Sequence, residues 1–448
     1  MSNSFFFFLC FFYDCFFFLL FCDFLLFLRR KGILIGLLKE TMSDECVYKE
    51  LEEVPVSVLE RAWDSKEWLE RYKRHEENAR ANDIPLWRDD HMSTDRLCAA
   101  ATTVYLTSGH SICSVEDGTV MTIEPPNMKK CKSQWHKKAY APVDPEQRRY
   151  PRTLVRVVNS DTIDFASSLL KRAEATGEKR KVFVLNMANQ FTPGGGFSHG
   201  RLAQEEVLCF CTGLFHCLDK KEYEGPNGFG DFSASTHENV PVLRKGLNDG
   251  FAFLKPEERW ELNVVSMASY DRHKLPKEER SGPFSPEQYA GMHAKIAAIL
   301  SACVHAGADT LVLGALGCGA FANPPNQVAE IFARVLHRFA GYFDAVYFSI
   351  LAAPTDPKLA IFQKELVGKE IVGDPAQYFT PNLAEDEEKG AMYESPTEGS
   401  ADSVIPSGPL TPVCPLMCEC HDMTPEHREA FQHLPFAPCP APPSSLSA

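Results

Sequence analysis

Positive charge is what this 448-residue chain is short of: 46 Lys and Arg stand against 60 Asp and Glu, for a formal net charge of −14. The balance argues against a protein whose main task is gripping bare nucleic acid, because such phosphate contacts need clustered cations. A polyanion held at one local site by backbone amides stays possible. Cysteine, though 16 residues in number and irregularly spaced, falls far short of the density of a small disulfide-stapled secreted fold. The thiols read as reduced and mostly buried, in an intracellular protein of cytoplasm or nucleus. No internal repeat is visible. No glycine-rich stretch is followed by the Lys-Ser/Thr of a phosphate loop, which disfavours ordinary NTP hydrolysis, and none meets the GxGxxG dinucleotide fingerprint. At 44% hydrophobic and 24% charged residues, the rest has the composition of an ordinary globular protein with length for two or three domains.

The two ends stand apart. In the leader, residues 1–42, the stretch 5–28 is a 24-residue apolar run holding 12 of the chain's 32 phenylalanines. It is long enough to span a bilayer, and Arg29, Arg30 and Lys31 follow as a cytoplasmic flank would. Against that, Asp14 and Asp23 would each cost roughly 2.5–3.5 kcal/mol at the centre of a membrane helix. A secretory signal would also want an upstream positive region and a small-residue cleavage site. The leader reads either as a membrane segment or as a gene-model artefact with Met42 as the start, so membrane contact is expected only through 5–28. Residues 373–448 hold 13 of the 31 prolines and too little apolar surface to offset ordering entropy, so a disordered acidic tail is expected. Its Cys414, Cys418, Cys420 and His421 lack the paired knuckles of a structural zinc site. No metal constellation is visible in the core either.

Between them, residues 43–149 read as a largely helical N-terminal extension and 150–372 as an α/β core. The extension carries a charged helical segment over 56–82, with Trp63 and Trp68. In the core, short apolar runs at 154–158, 182–185, 262–266, 311–313 and 346–351 alternate with helical patterns, the signature of a parallel sheet with flanking helices. A helix opens at 161, and another at 285 with Ser285 and Gln288 as a capping box and Pro286 at N1. A further helix spans 328–339. After 202, Val207, Cys211, Leu214, Phe215 and Leu218 predict one continuous buried helix stripe. Cys209, Cys211 and Cys217 are core thiols on it. The basic segment Lys129 to Lys138 around Trp135 reads as a solvated hairpin or loop.

Two loops carry the chemistry. The strand ending at Leu185 runs into Asn186-Met187-Ala188-Asn189, then Gly194-Gly195-Gly196, then Gln204-Glu205-Glu206 at a helix start. Ligand crevices of open α/β sheets lie beyond the carboxyl ends of strands. Successive glycines expose backbone N–H groups that suit an anion. The plainer reading is a loose loop and two carboxylates answering the helix dipole. A second loop, Gly314 to Pro325, repeats the pattern after strand 311–313. Two such turns fit a nucleotide diphosphate held by main-chain amides, with Phe321 placed to stack on a ring. Cys318, between two glycines and with no His partner, reads as a loop residue rather than a nucleophile.

The order GGG, seven residues, QEE, then GCGAF resembles the microbial-type catalytic domain of the poly(ADP-ribose) glycohydrolases. The likeness extends over about 93–370 and includes RLCAAATTVYLTSG at 96–109. It implies a three-layer α/β/α macrodomain-like sandwich and hydrolysis of ribose–ribose bonds in poly(ADP-ribose). By resemblance Glu206 is the general acid and base, while Glu205 and Asn189 hold ribose hydroxyls. Gln204 belongs to the same motif, and Gly194, Gly195, Gly196, Gly317, Cys318, Gly319, Ala320 and Phe321 line the diphosphate. Tyr270-Asp271-Arg272 departs from the small residues common in the family, which leaves the adenine side open. No cofactor is implied. The partners are poly(ADP-ribose) or ADP-ribosylated proteins, with no nucleic acid, and the protein is expected to be a monomer. Two competing readings are a non-catalytic ADP-ribose reader and a mono-ADP-ribosyl-protein hydrolase. Adjacent helical residues point about 100° apart, so Glu205 and Glu206 are not expected to flank one bond as paired glycosidase carboxyls do.

Overall fold

The computed structural model describes residues 61–82, 84, 90–136, 144–224, 228–229, 233–280, 282–353 and 355–366. The leader, the tail and its Cys/His cluster lie outside the described residues. Strand β1 (Trp63–Asp64) leads into helix α1 (Ser65–Ala81), where Asp64 caps the N-terminus by accepting from Lys66 N and Glu67 N. Helix α2 (Asp90–Thr107) follows, then the hairpin β2 (Ile112–Glu116) and β3 (Thr119–Ile123). β1 joins this hairpin in a three-stranded sheet. Beside the expected helices, the extension therefore adds a small sheet that its irregular apolar spacing did not announce.

The main sheet has seven strands. β4 (Lys132–His136) comes from the basic segment expected to be a solvated loop or hairpin. It becomes the antiparallel edge of the core sheet. β5 (Leu154–Val158) is followed by α3 (Thr162–Thr176), capped by Asp161 and closed on Gly177 at φ +71°. β6 (Val182–Ala188) leads through the glycine loop to α4 (Gln204–Cys211) and α5 (Leu214–Cys217). β7 (Ala234–Val242) and β8 (Trp260–Ala268) follow. Next come α6 (Pro286–His305), β9 (Thr310–Leu313), α7 (Pro325–Arg338), β10 (Ala345–Ser349) and α8 (Lys358–Leu366). The strand order is β4-β7-β8-β6-β9-β10-β5. The five strands from β8 to β5 are parallel, β7 pairs antiparallel with β8, and β4 pairs antiparallel with β7.

Two apolar clusters show that the sheet is covered on both faces. Along β6, Phe183 and Leu185 pack with α6, α7 and α8, whereas Val182 and Val184 pack with α2, α3 and α4. Alternation within a wholly apolar strand is what a sheet buried on both sides requires. The expected three-layer sandwich is the architecture found.

The continuous helix expected across 207–218 is instead broken. Thr212 Oγ1 donates to Leu208 O at 2.7 Å and accepts from Leu214 N at 3.0 Å, while Gly213 N donates to Pro241 O at 2.9 Å. A hydroxyl competing for the backbone ends α4 there, and the end of β7 takes the freed amide. The apolar stripe is still largely buried, now divided between two short helices. The helix also begins at Gln204 rather than near 202.

Candidate active site

A cavity of about 420 Å³ opens where the parallel strands end. Its wall includes Ser160 beyond β5, Asn189 beyond β6, Ser269 beyond β8, Ala315 beyond β9 and Ile350 beyond β10. Both glycine-rich loops reach it, as the topology of such sheets demands.

At the start of α4 both glutamates line this cavity, although they are only 3% and 7% exposed. Glu205 Oε2 accepts from Asn189 N at 2.7 Å, and its Oε1 accepts from Asn186 Nδ2 at 3.3 Å. Glu206 Oε1 accepts from Gly196 N at 2.7 Å, and its Oε2 accepts from Ala203 N at 2.9 Å. Ala203 is the N-cap residue, so Glu206 supplies half of a capping box, and the plain dipole reading is true of it as well. Burial and cavity exposure are what a simple surface cap would lack.

The two side chains do not diverge as the helix geometry alone suggested. A Cβ placed on Gly195, at φ +61°, would lie 2.6 Å from Glu206 Oε1 and 2.9 Å from Glu205 Oε2. Both carboxyls thus press on one backbone point, and only glycine fits between them. Burial raises both acids: Glu205 well above the usual range, with the Glu206 charge adding to it, and Glu206 less so because the Gly196 and Ala203 amides oppose the rise. Two buried carboxyls side by side do not both ionise readily, so the pair keeps a proton to higher pH than a free glutamate.

The first glycine loop differs from its expected role. Gly195 N donates to Thr192 O at 2.9 Å and Gly196 N to Glu206, while the Gly194 amide faces Glu205. The Gly194 and Gly196 amides orient carboxyls rather than waiting for a phosphate, the Gly195 amide closes the turn, and neither Gly194 nor Gly196 lines the cavity. In the second loop, no group among the described residues takes the N–H of Gly317, Gly319, Ala320 or Phe321. All four of these residues line the cavity. Asn323 Nδ2 ties this loop together by donating to Tyr270 O at 2.7 Å and Gly317 O at 3.0 Å. Cys318 is buried and not part of the wall; burial pushes its thiol up to about 12. Gln204 anchors the helix to β6, accepting from Met187 N at 3.0 Å and donating to Leu185 O at 2.7 Å. Asn189 accepts from Phe191 N and Thr192 N, shaping the turn before the glycines. Arg272, in the segment that departs from the family pattern, is buried and donates to Gly282 O and Pro283 O.

Residues 99–229 match the family model described as microbial-type PARG, catalytic domain, where PARG denotes poly(ADP-ribose) glycohydrolase. This stretch of the chain is similar to that catalytic domain. The matched stretch holds the 186–206 loop and both glutamates. Solved glycohydrolases are similar to it. The one from Thermomonospora curvata, bound to the inhibitor ADP-HPD, is 26% identical over 60% of this chain and 98% of its own, with a TM-score of 0.47. The one from Deinococcus radiodurans, in complex with ADP-ribose, is 24% identical over 52% and 93%, with a TM-score of 0.41. No curated protein matches the chain.

Sequence reasoning missed part of this site. Asp161 and Asp164 of the α3 start, the turn 246–249 and Lys358 also line the cavity. Asp161 had been read only as a helix opener, although its place after the β5 terminus was a signal. Behind the wall, Ser235 of β7 and Asn186 of β6 each stand opposite Ser266 of β8. Ser235 donates to Glu222, which burial pushes up to about 7, and Asn186 Nδ2 donates to Ser266 Oγ at 3.1 Å as well as to Glu205. This polar row supports the deeper glutamate from below.

Proposed function

We propose that this protein hydrolyses ribose–ribose O-glycosidic bonds of poly(ADP-ribose), releasing ADP-ribose, with Glu206 giving and then taking the proton. The observation that carries the proposal is the convergence of two buried carboxyls at Gly195, in a cavity walled by both glycine loops. Cleaving an acetal needs a proton for the departing oxygen and support for an oxocarbenium-like carbon. Burial raises the Glu206 carboxyl above the usual range, the direction a general acid requires. Glu205, fixed by Asn189 N and Asn186, orients the ribose hydroxyls. The untaken amides of Gly317, Gly319, Ala320 and Phe321 receive the diphosphate, and Phe321 covers a ring beside it. The bound phosphates raise Glu206 further and offset the positive charge that develops on the sugar.

The test is Glu206→Gln in the full chain. ADP-ribose binding, measured by calorimetry, should stay within about tenfold while turnover of poly(ADP-ribose) falls by roughly 10²–10⁴. Undiminished turnover would remove Glu206 from the chemistry. Supplying wild-type protein with poly(ADP-ribose) and, separately, with a mono-ADP-ribosylated protein separates chain cleavage from side-chain removal and from binding alone.

A further inference from the structure

Two thiols outside the cavity face each other at the antiparallel edge of the sheet. Cys131 immediately precedes β4, and Cys217 ends α5; both are free and half-buried. Their side chains are close enough to shift each other's titration. The surrounding backbone holds them together. Ser133, on the same strand face as Cys131 two residues on, donates Oγ–H to Cys217 O at 3.1 Å. Cys131 Sγ lies 3.3 Å from Asn239 O, and Cys217 Sγ lies 3.4 Å from Gly213 O. A Cβ on Gly213 would come 2.7 Å from the Met128 methyl, so the turn before β4 seats directly on the turn before α5.

We propose that Cys131 and Cys217 form an oxidisable dithiol, a site of reversible modification by hydroperoxides. Contact with Cys217 lowers Cys131, outweighing burial and the Glu261 charge, while the same contact and burial keep Cys217 protonated. The thiolate is the nucleophile, so Cys131 reacts first. Its sulfur attacks a peroxide oxygen: an S–O bond forms, the O–O bond breaks, and sulfur gives up two electrons. The departing hydroxide takes the Cys131 proton and leaves as water. The Cys217 sulfur then attacks the sulfenic sulfur; an S–S bond forms, the S–O bond breaks, and hydroxide leaves as water with the Cys217 proton. Two thiols and one hydrogen peroxide thus give one disulfide and two waters, and an external dithiol reverses the change. In a reducing compartment such a bond is transient, as redox-sensing disulfides are. Cys209, Cys211 and Cys303 are buried, and burial pushes their thiols up, so they are the inert comparison. The inference is independent of the glycohydrolase reading.

The test uses the reduced full chain, treated with hydrogen peroxide, alkylated, digested with glutamyl endopeptidase and mapped without reduction. A peptide pair joining Cys131 to Cys217, lost with dithiothreitol, is the expected result. In Cys217→Ser, dimedone should label Cys131 at least tenfold over Cys209 and Cys303. The proposal is overturned if Cys131 pairs with another cysteine in the wild-type map, or stays reduced when the exposed Cys113 is oxidised. Dimedone labelling of Cys217 in Cys131→Ser equal to that of Cys131 in Cys217→Ser would overturn the assigned order.

Discussion

Gly195 is the residue on which the geometry of the acids turns. Its positive φ disfavours a side chain, and any Cβ would meet both carboxyls. Gly195→Ala is therefore expected to cut turnover by about 10²-fold, the usual cost of displacing catalytic groups by around an ångström. The unfolding midpoint should fall by only a few degrees, which initial rates and thermal melts on one preparation would compare. Glu205 gives a second prediction. Its carboxyl is raised in the folded protein, so the folded state binds more protons than the unfolded one. Stability is then full below the ordinary carboxyl value near 4.3 and declines as pH rises through the folded value. Glu205→Gln should flatten that decline between about pH 4.5 and 8. The Gln amide adds a donor facing Asn186 or Asn189, a constant cost, so the slope of midpoint against pH is the quantity to compare. Equal slopes would show that Glu205 is ionised throughout. Both acids were legible in the sequence; that they converge was not, because their direction depends on amides contributed by residues 189, 196 and 203.

For the helices and turns, what matters is how each is fastened where it meets the cavity. Asp161 caps α3 by accepting from Ile163 N and Asp164 N, and it also lines the wall. Asp161→Ala should cost about 1 kcal/mol, whereas Asp161→Asn should keep the cap, since Asn serves as well there. Denaturant melts separate the two, and any change in ADP-ribose affinity for the Asn variant then belongs to the charge. Arg244 fastens the turn 246–249. Fully buried, it donates to Thr103 Oγ1 and Phe251 O, both at 2.9 Å, with its guanidinium carbon 4.5 Å from the Trp63 ring centroid. Arg244→Ala should cost roughly 3–5 kcal/mol, as large-to-small core changes do, and should raise KM for poly(ADP-ribose) by freeing one cavity wall. Lys would restore little, lacking the fork that reaches both partners. The parallel strands and their helices were readable from apolar runs and caps. β7 escaped notice because its sequence, ASTHENVPV, mixes polar residues and a proline. α4 was read too long because the apolar spacing carries across Thr212 without registering the hydroxyl that ends the helix.

Across the whole molecule, the net charge of −14 sets how a polyanion can be met. A protein holding six to ten phosphates with cations loses roughly 10³–10⁵ in affinity between about 50 and 200 mM salt. Here the untaken donors at the cavity are backbone amides, so poly(ADP-ribose) KM should stay within a few-fold over that range, as titration of turnover against salt would show. A steep rise would point to a cationic grip elsewhere on the chain. Composition, the order of apolar runs, and the two glycine turns after strands were enough to determine an α/β sandwich with its chemistry at one end. These features depend on local periodicity and on the covalent order of the chain. Folding alone decided that the first turn's amides orient carboxyls while the second turn's amides stay untaken, and that Asp161, the turn 246–249 and Lys358 share the same wall. Hydrogen-bond direction and burial come from partners far apart in sequence, and only the packed sheet brings them within reach.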